Sequence, residues 1–167
     1  MPLWGESIAN FDPTSLTKAG HDPDDVFFRG LAYRMMWTLF WHAESDQLSF
    51  SYLGAPADED RPRQSHFDLL KAFNAVNASM IHRQILPDET AVKYDDGHRQ
   101  VFWCFKPVDV SLPHEMVVLD VLTGTRTSVR QLVAVPRHVY VVEPAPAVEP
   151  RAKQRRQETA ARLSMPR

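Results

Sequence analysis

The sequence predicts an α+β fold, with two main helices packed on an antiparallel sheet of about five or six strands and a disordered basic C-terminal tail. Three observations carry that expectation. Two segments of the first half repeat apolar residues at helical spacing, and the stretch beyond Pro87 alternates in the β manner between turn signals. From Pro144 onward the chain turns rich in proline and arginine. The expected organisation is one globular domain over residues 1–143, then a Pro-rich spacer and basic tail over 144–167.

Residues 1 to 20 read as an irregular lead-in punctuated by Pro2, Gly5, Pro13 and Gly20. A helix then starts at "HDPDDVFF". Asp22 suits the N-cap because its carboxylate accepts from a free backbone N–H, and Pro23 fits the first helical position. Asp24 and Asp25 complement the positive end of the helix dipole. The apolar pattern extends this helix to about Ala43 or Glu44. "QLSFSYLG" follows as a strand with Leu48, Phe50 and Tyr52 on alternate positions, and "APADEDRPRQ" is a charged loop. Ser65 and Asp68 resemble a capping box, and Leu69, Leu70, Phe73, Val76 and Met80 give a second helix from about His66 to Met80.

The β region comes next. "TAVKY" and "HRQVFWCFK" flank "DDG", a hairpin turn because Asp-Gly tolerates positive φ. "EMVVLDVL" and "VRQLVAV" flank "TGTRTS" as a second hairpin, and "HVYVVE" closes the folded part, with Pro136 marking a bend or an edge.

Composition narrows the function classes. At 167 residues, 44% hydrophobic and 24% charged, the chain can bury a real core. The net charge of -2 excludes a uniformly basic nucleic-acid binder. Its distribution is uneven, because Arg151, Lys153, Arg155, Arg156, Arg162 and Arg167 face only Glu149 and Glu158 in the tail. The tail thus carries +4 and the body -6. Cys104 is the only cysteine, which rules out an internal disulfide and a Cys-rich zinc site and favours a reducing compartment. "MPLWGESIAN" lacks the features of a secretory signal, and the apolar run from Val26 to Ala43 is broken by Arg29 and Arg34. A cytoplasmic protein without a membrane role is expected.

Motifs for chemistry are weak. The six glycines are nowhere clustered, so neither a P-loop nor a dinucleotide fingerprint is present, and no cofactor is expected. "HEMVV" lacks the second histidine of a zinc-protease helix, since Val118 stands there. Asp22, Asp24 and Asp25 could offer oxygens to a cation, but helix capping accounts for all three. In "YDDGHRQVFWCFK", Lys106 follows Cys104 where a metal-dependent nuclease would carry an acid. Cys104 could act as a nucleophile with His98 or His114 as its base, although its apolar strand favours an unreactive thiol. No G-x-S-x-G occurs. Neither a catalytic residue nor a metal ligand is assigned.

The aromatic stretch 30–46 is the remaining feature. Read as a helix, it puts Phe28, Leu31, Met35, Leu39 and His42 on one stripe and Tyr33, Met36, Trp37, Phe40 and Trp41 on the other, bordered by Arg29 and Arg34. Such a helix is either sandwiched within its own chain, with Trp4 and Phe11 covering the second side, or keeps one face for a partner. Trp, Tyr and Arg dominate interface hot spots, so Arg29, Tyr33, Arg34, Trp37, Phe40 and Trp41 are the candidate partner-binding residues.

The expected function is that of a small non-enzymatic accessory or inhibitory protein of phage or plasmid type that binds another protein. A second copy of the chain is also admitted as partner. The alternative is nucleic-acid binding through Arg151, Lys153, Arg155 and Arg156 as phosphate contacts. An enzyme centred on Cys104 is the third reading.

Overall fold

The computed structural model describes residues 7–51 and 58–145. It shows an α+β protein in which two main helices lie on a six-stranded antiparallel sheet. The basic tail, from residue 146 on, lies outside the described residues, as do Trp4 and Tyr52.

The lead-in is more ordered than its prolines suggest. Strand β1 (Ser7–Ala9) precedes helix α1 (Pro13–Lys18), whose N-cap Asp12 accepts from the Ser15 amide at 2.9 Å. This repeats the Asp-Pro start of helix α2 (Pro23–Ala32), where the Asp22 side chain accepts from the Asp24 amide at 3.0 Å. The same signal stood at both places, and the six-residue helix was missed because its apolar run is too short to show a period.

Helix α2 stops at Ala32, not near Ala43. Tyr33 is its C-cap, and Arg34 takes a left-handed φ of 63°, which ends the helical hydrogen-bonding pattern. The chain then reverses into β2 (Met35–Trp37), which pairs with β1 in parallel, and β3 (Phe40–His42), which pairs with β4 (Gln47–Ser49) as a hairpin. The aromatic stretch is therefore a helix end, a turn and two short strands. Reversal satisfies both apolar sides of the predicted helix in a different way, by laying Trp37 back over Gly30 of α2.

Helix α3 (Gln64–Val76) starts with Arg63 rather than Ser65 at its N-cap. The Arg63 amide donates to His66 Nδ1 at 3.0 Å, which leaves Nε2 to carry the hydrogen donated to Asp24 Oδ1 at 3.0 Å. His66 is only 2% exposed and sits among Phe11, Phe27 and Phe50, so it fastens the start of α3 to the start of α2. After Val76 the chain tightens into a 3₁₀ turn over Asn77–Ser79, which ends the helix earlier than Met80 but keeps Met80 buried.

The main sheet comprises β5 (His82–Ile85), β6 (Ala91–Asp95), β7 (Gln100–Cys104), β8 (Val108–Asp120), β9 (Arg126–Ala134) and β10 (Val139–Pro144), in the order β5-β6-β7-β10-β8-β9. Both expected hairpins form. Gly97 turns the first at φ 87° and Gly124 the second at φ 74°, conformations that side chains with a Cβ resist. Pro136 marks a bend, and the strand after it is central.

Alternation divides the apolar residues between two faces. Val92, Tyr94, Val101, Trp103, Phe105, Val139 and Val141 meet α2 and α3 in one core, where the Tyr94 hydroxyl donates to the Ala32 carbonyl at 2.8 Å. Phe102, Cys104, Tyr140 and Val142 form the other core with Met116 and Val118. That second face is covered by the chain's own β8–β9 hairpin. Its register jumps from Ser111–Gln131 to Met116–Val129, with the exposed Pro113 inside the irregularity, and beyond it Val108, Val110, Leu132 and Ala134 join the Phe102 core. The connection demands this fold-over. Only three residues separate Cys104 from Val108, while Asp120 at the far end of β8 also lies beside the start of β10.

Candidate protein-interaction face on the β3–β4 hairpin

Four of the six candidate partner-binding residues are committed to contacts within the chain. Arg29 pairs with Asp25 at 2.6 Å and lays its guanidinium 4.2 Å from the Phe105 ring centre. Tyr33 lies 6.0 Å from Phe105 and beneath the Arg83 guanidinium. Arg34 donates from Nη1 to the Met80 carbonyl at 2.9 Å. Trp37 stacks on Phe27 at 5.9 Å, touches Phe11 at 5.2 Å and donates its indole N–H to the Phe27 carbonyl at 3.1 Å. Phe11 thus covers Trp37 from the N-terminal side, although the long helix that the sandwiched reading assumed ends at Ala32.

The hairpin separates the remaining two. Phe40 stands opposite Ser49, and Trp41 stands opposite Leu48. Successive residues of a strand point to opposite faces, so Phe40, His42 and Ser49 face inward and Trp41 and Leu48 face outward. Ser49 is fully buried, Phe40 and His42 are half-buried, and His42 Nε2 lies 2.8 Å from the Ser51 carbonyl. Trp41 is 58% exposed and Leu48 37%. The loop joining the strands carries Glu44 and Asp46, both exposed and without an ion pair to another described residue. The result is an apolar cross-strand pair bordered by two carboxylates. Sequence reasoning named Trp41 but not Leu48, because the alternation of Leu48 with buried Phe50 suggested a shared inward face.

The other candidate chemistry resolves differently. Cys104 is fully buried, and burial, followed by the charge of Asp120, pushes its thiol up to about 12. His98 sits beyond the Gln100 end of β7 and His114 in the irregular part of β8, and the histidine whose backbone meets that of Cys104 is His138. The Cys104 amide donates to the His138 carbonyl at 3.1 Å, and His138 Nδ1 lies 2.7 Å from Asp120 Oδ2. Such a pair orients an imidazole, but a thiol held protonated and away from solvent offers it no nucleophile. Thiol reagents are expected to leave Cys104 unmodified in native protein and to label it fully in denaturant, as mass spectrometry would show; fast native labelling would reopen the nucleophile reading.

Asp22, Asp24 and Asp25 are matched by Arg137, by Arg63 with His66, and by Arg29 in turn. Among the described residues no group of three or more His, Cys, Asp or Glu side chains is placed to hold a metal ion. No helix among them is long and apolar enough to cross a membrane. No family model matches the chain, and no curated protein is similar to it.

Proposed function

We propose that the protein is a non-enzymatic accessory or inhibitory factor that binds another protein through the outward face of the β3–β4 hairpin. One observation carries the reading. Every other tryptophan that the structure describes is packed into the body, whereas Trp41 presents most of its surface to solvent beside exposed Leu48. Tryptophan buries a large area at low entropic cost, which makes an exposed Trp–Leu pair on a rigid hairpin an energetic anchor for association. The loop carboxylates supply a polar rim that favours a basic partner surface and disfavours an acidic one.

The phage- or plasmid-type setting and a cytoplasmic location belong to this proposal as its context. Nucleic-acid binding through Arg151, Lys153, Arg155 and Arg156 rests on residues outside the described ones and draws nothing from the sheet or helices.

The test is a Trp41→Ala, Leu48→Ser double variant. Both side chains lie on the outward face, so the stability lost should not exceed that of one cross-strand pair, about 1 kcal/mol. Captured from the native host, the partner should be retained by the parent protein and lost by the variant. Retention of the same partner by the folded variant would remove the hairpin from the interface.

A further inference from the structure

We propose that the basic C-terminal segment of this chain, residues 151–167, docks in its own molecule on the Trp41–Leu48 face and acts as a displaceable cover. The inference rests on the reading of that face as an interaction surface and names its resident occupant. Charge complementarity points there. Acids elsewhere around α2 are already matched to Arg29, Arg63 and Arg137, whereas Glu44 and Asp46, in the loop that follows exposed Trp41, form no ion pair with a described cation. The segment brings Arg151, Lys153, Arg155, Arg156, Arg162 and Arg167, together with Leu163 and Met165. Guanidinium groups suit both the carboxylates and the face of an indole, and the apolar pair suits Leu48.

Reach is available. The described chain ends at Ala145, and 22 residues follow it. Extended, they span roughly 70 Å, against a body of about 40 Å across for a chain of this length. Tethering gives the segment an effective concentration on the order of millimolar, so a contact of millimolar strength suffices to hold it. A cover of that strength yields to a partner that binds more tightly, and it yields to salt, because screening shortens to ~3 Å at 1 M.

The experiment observes the indole N–H resonance of Trp41 in uniformly ¹⁵N-labelled full-length protein, assigned by its loss in Trp41→Phe. Arg151→Gln, Arg155→Gln, Arg156→Gln and Arg162→Gln are combined in one comparison variant, and Glu44→Gln with Asp46→Asn in another. At low salt both variants should shift the Trp41 resonance from its parental position while those of Trp37 and Trp103 stay in place. Adding salt to the parent should move it toward the position in the arginine variant. These shifts should be independent of protein concentration. A Trp41 resonance identical in parent and arginine variant at low salt would overturn the proposal, as would a shift that grows with concentration and so reports a second copy. Partner capture plays no part in this readout. A Trp41 resonance unchanged by the arginine substitutions, with capture still lost in Trp41→Ala, Leu48→Ser, would end the cover alone, and capture retained by that folded variant, with the resonance change intact, would end only the partner role.

Discussion

Gly30→Ala should lower stability by about 2–3 kcal/mol, against the ~1 kcal/mol gain that alanine brings over glycine inside an unconstrained helix. A methyl group on Gly30 would stand within the Trp37 indole, 2.6 Å from Cε2 and 2.8 Å from Cη2 and nearer still to Cζ2. The indole cannot slide aside freely, because Phe11 and Phe27 hold its faces and its N–H is bound to the Phe27 carbonyl. Chemical denaturation of the single variant measures the loss. A double-mutant cycle identifies its origin. With Trp37→Ala in place the clash is gone, and adding Gly30→Ala should then be neutral or stabilising. An equal loss in both backgrounds would mean that Gly30 is needed for some reason other than the indole.

His66→Ala should be the other costly change, with a loss of roughly 3 kcal/mol from an unfilled site and two broken hydrogen bonds. The Arg63 amide at the head of α3 and the Asp24 carboxylate on α2 both lose their imidazole partner. The parent should also carry an acid sensitivity that the variant lacks. Burial holds the His66 pKa below its ordinary 6.5, with Asp24 opposing in part. The unfolded chain therefore takes up a proton below pH 6.5 that the folded one refuses, and stability falls as pH drops through that window and is flat above it. Urea midpoints measured from pH 7.5 down to 5 should decline less steeply in the variant. An unchanged slope would show that another group governs the acid side.

The class of fold was legible because its signals are local. Asp-Pro announces α2, and Asp-Gly turns the β6–β7 hairpin with the Asp96 side chain accepting from the His98 and Arg99 amides. The end of α2 was hidden because its cause is distant. Neither Tyr33 nor Arg34 breaks helices by nature, and Arg34 holds its left-handed backbone while its side chain reaches Met80, 46 residues on. Gly30 within an aromatic run was the available clue, since a side chain is absent where an indole must rest. The front half of β8 was masked by Pro113, which belongs to a strand only because the register breaks around it.

The candidate face was half legible. Trp41 could be named from residue type alone, but its orientation depends on a pairing with Leu48 that a helical reading forbids. The inward turn of Phe50 has a similar origin. Its amide donates to the Asp60 carbonyl at 2.8 Å, so the chain leaves the hairpin ladder at Ser49 and the alternation begun by Leu48 does not continue. His138 and Asp120 stand 18 residues apart and meet only through the β8–β10 register.

The central place of β10 governs the order in which this protein can assemble. Tyr140 and Val142 serve one core, Val139 and Val141 the other, and the strand joins β7 to β8, which have no direct pairing between them. Until residues 139–144 leave the ribosome, α2 and α3 rest on a half-sheet and the β8–β9 hairpin has no anchored floor to fold across. Pairings of such long sequence separation are slow to close. Neither half of the main sheet is joined to the other until this last described strand has been made.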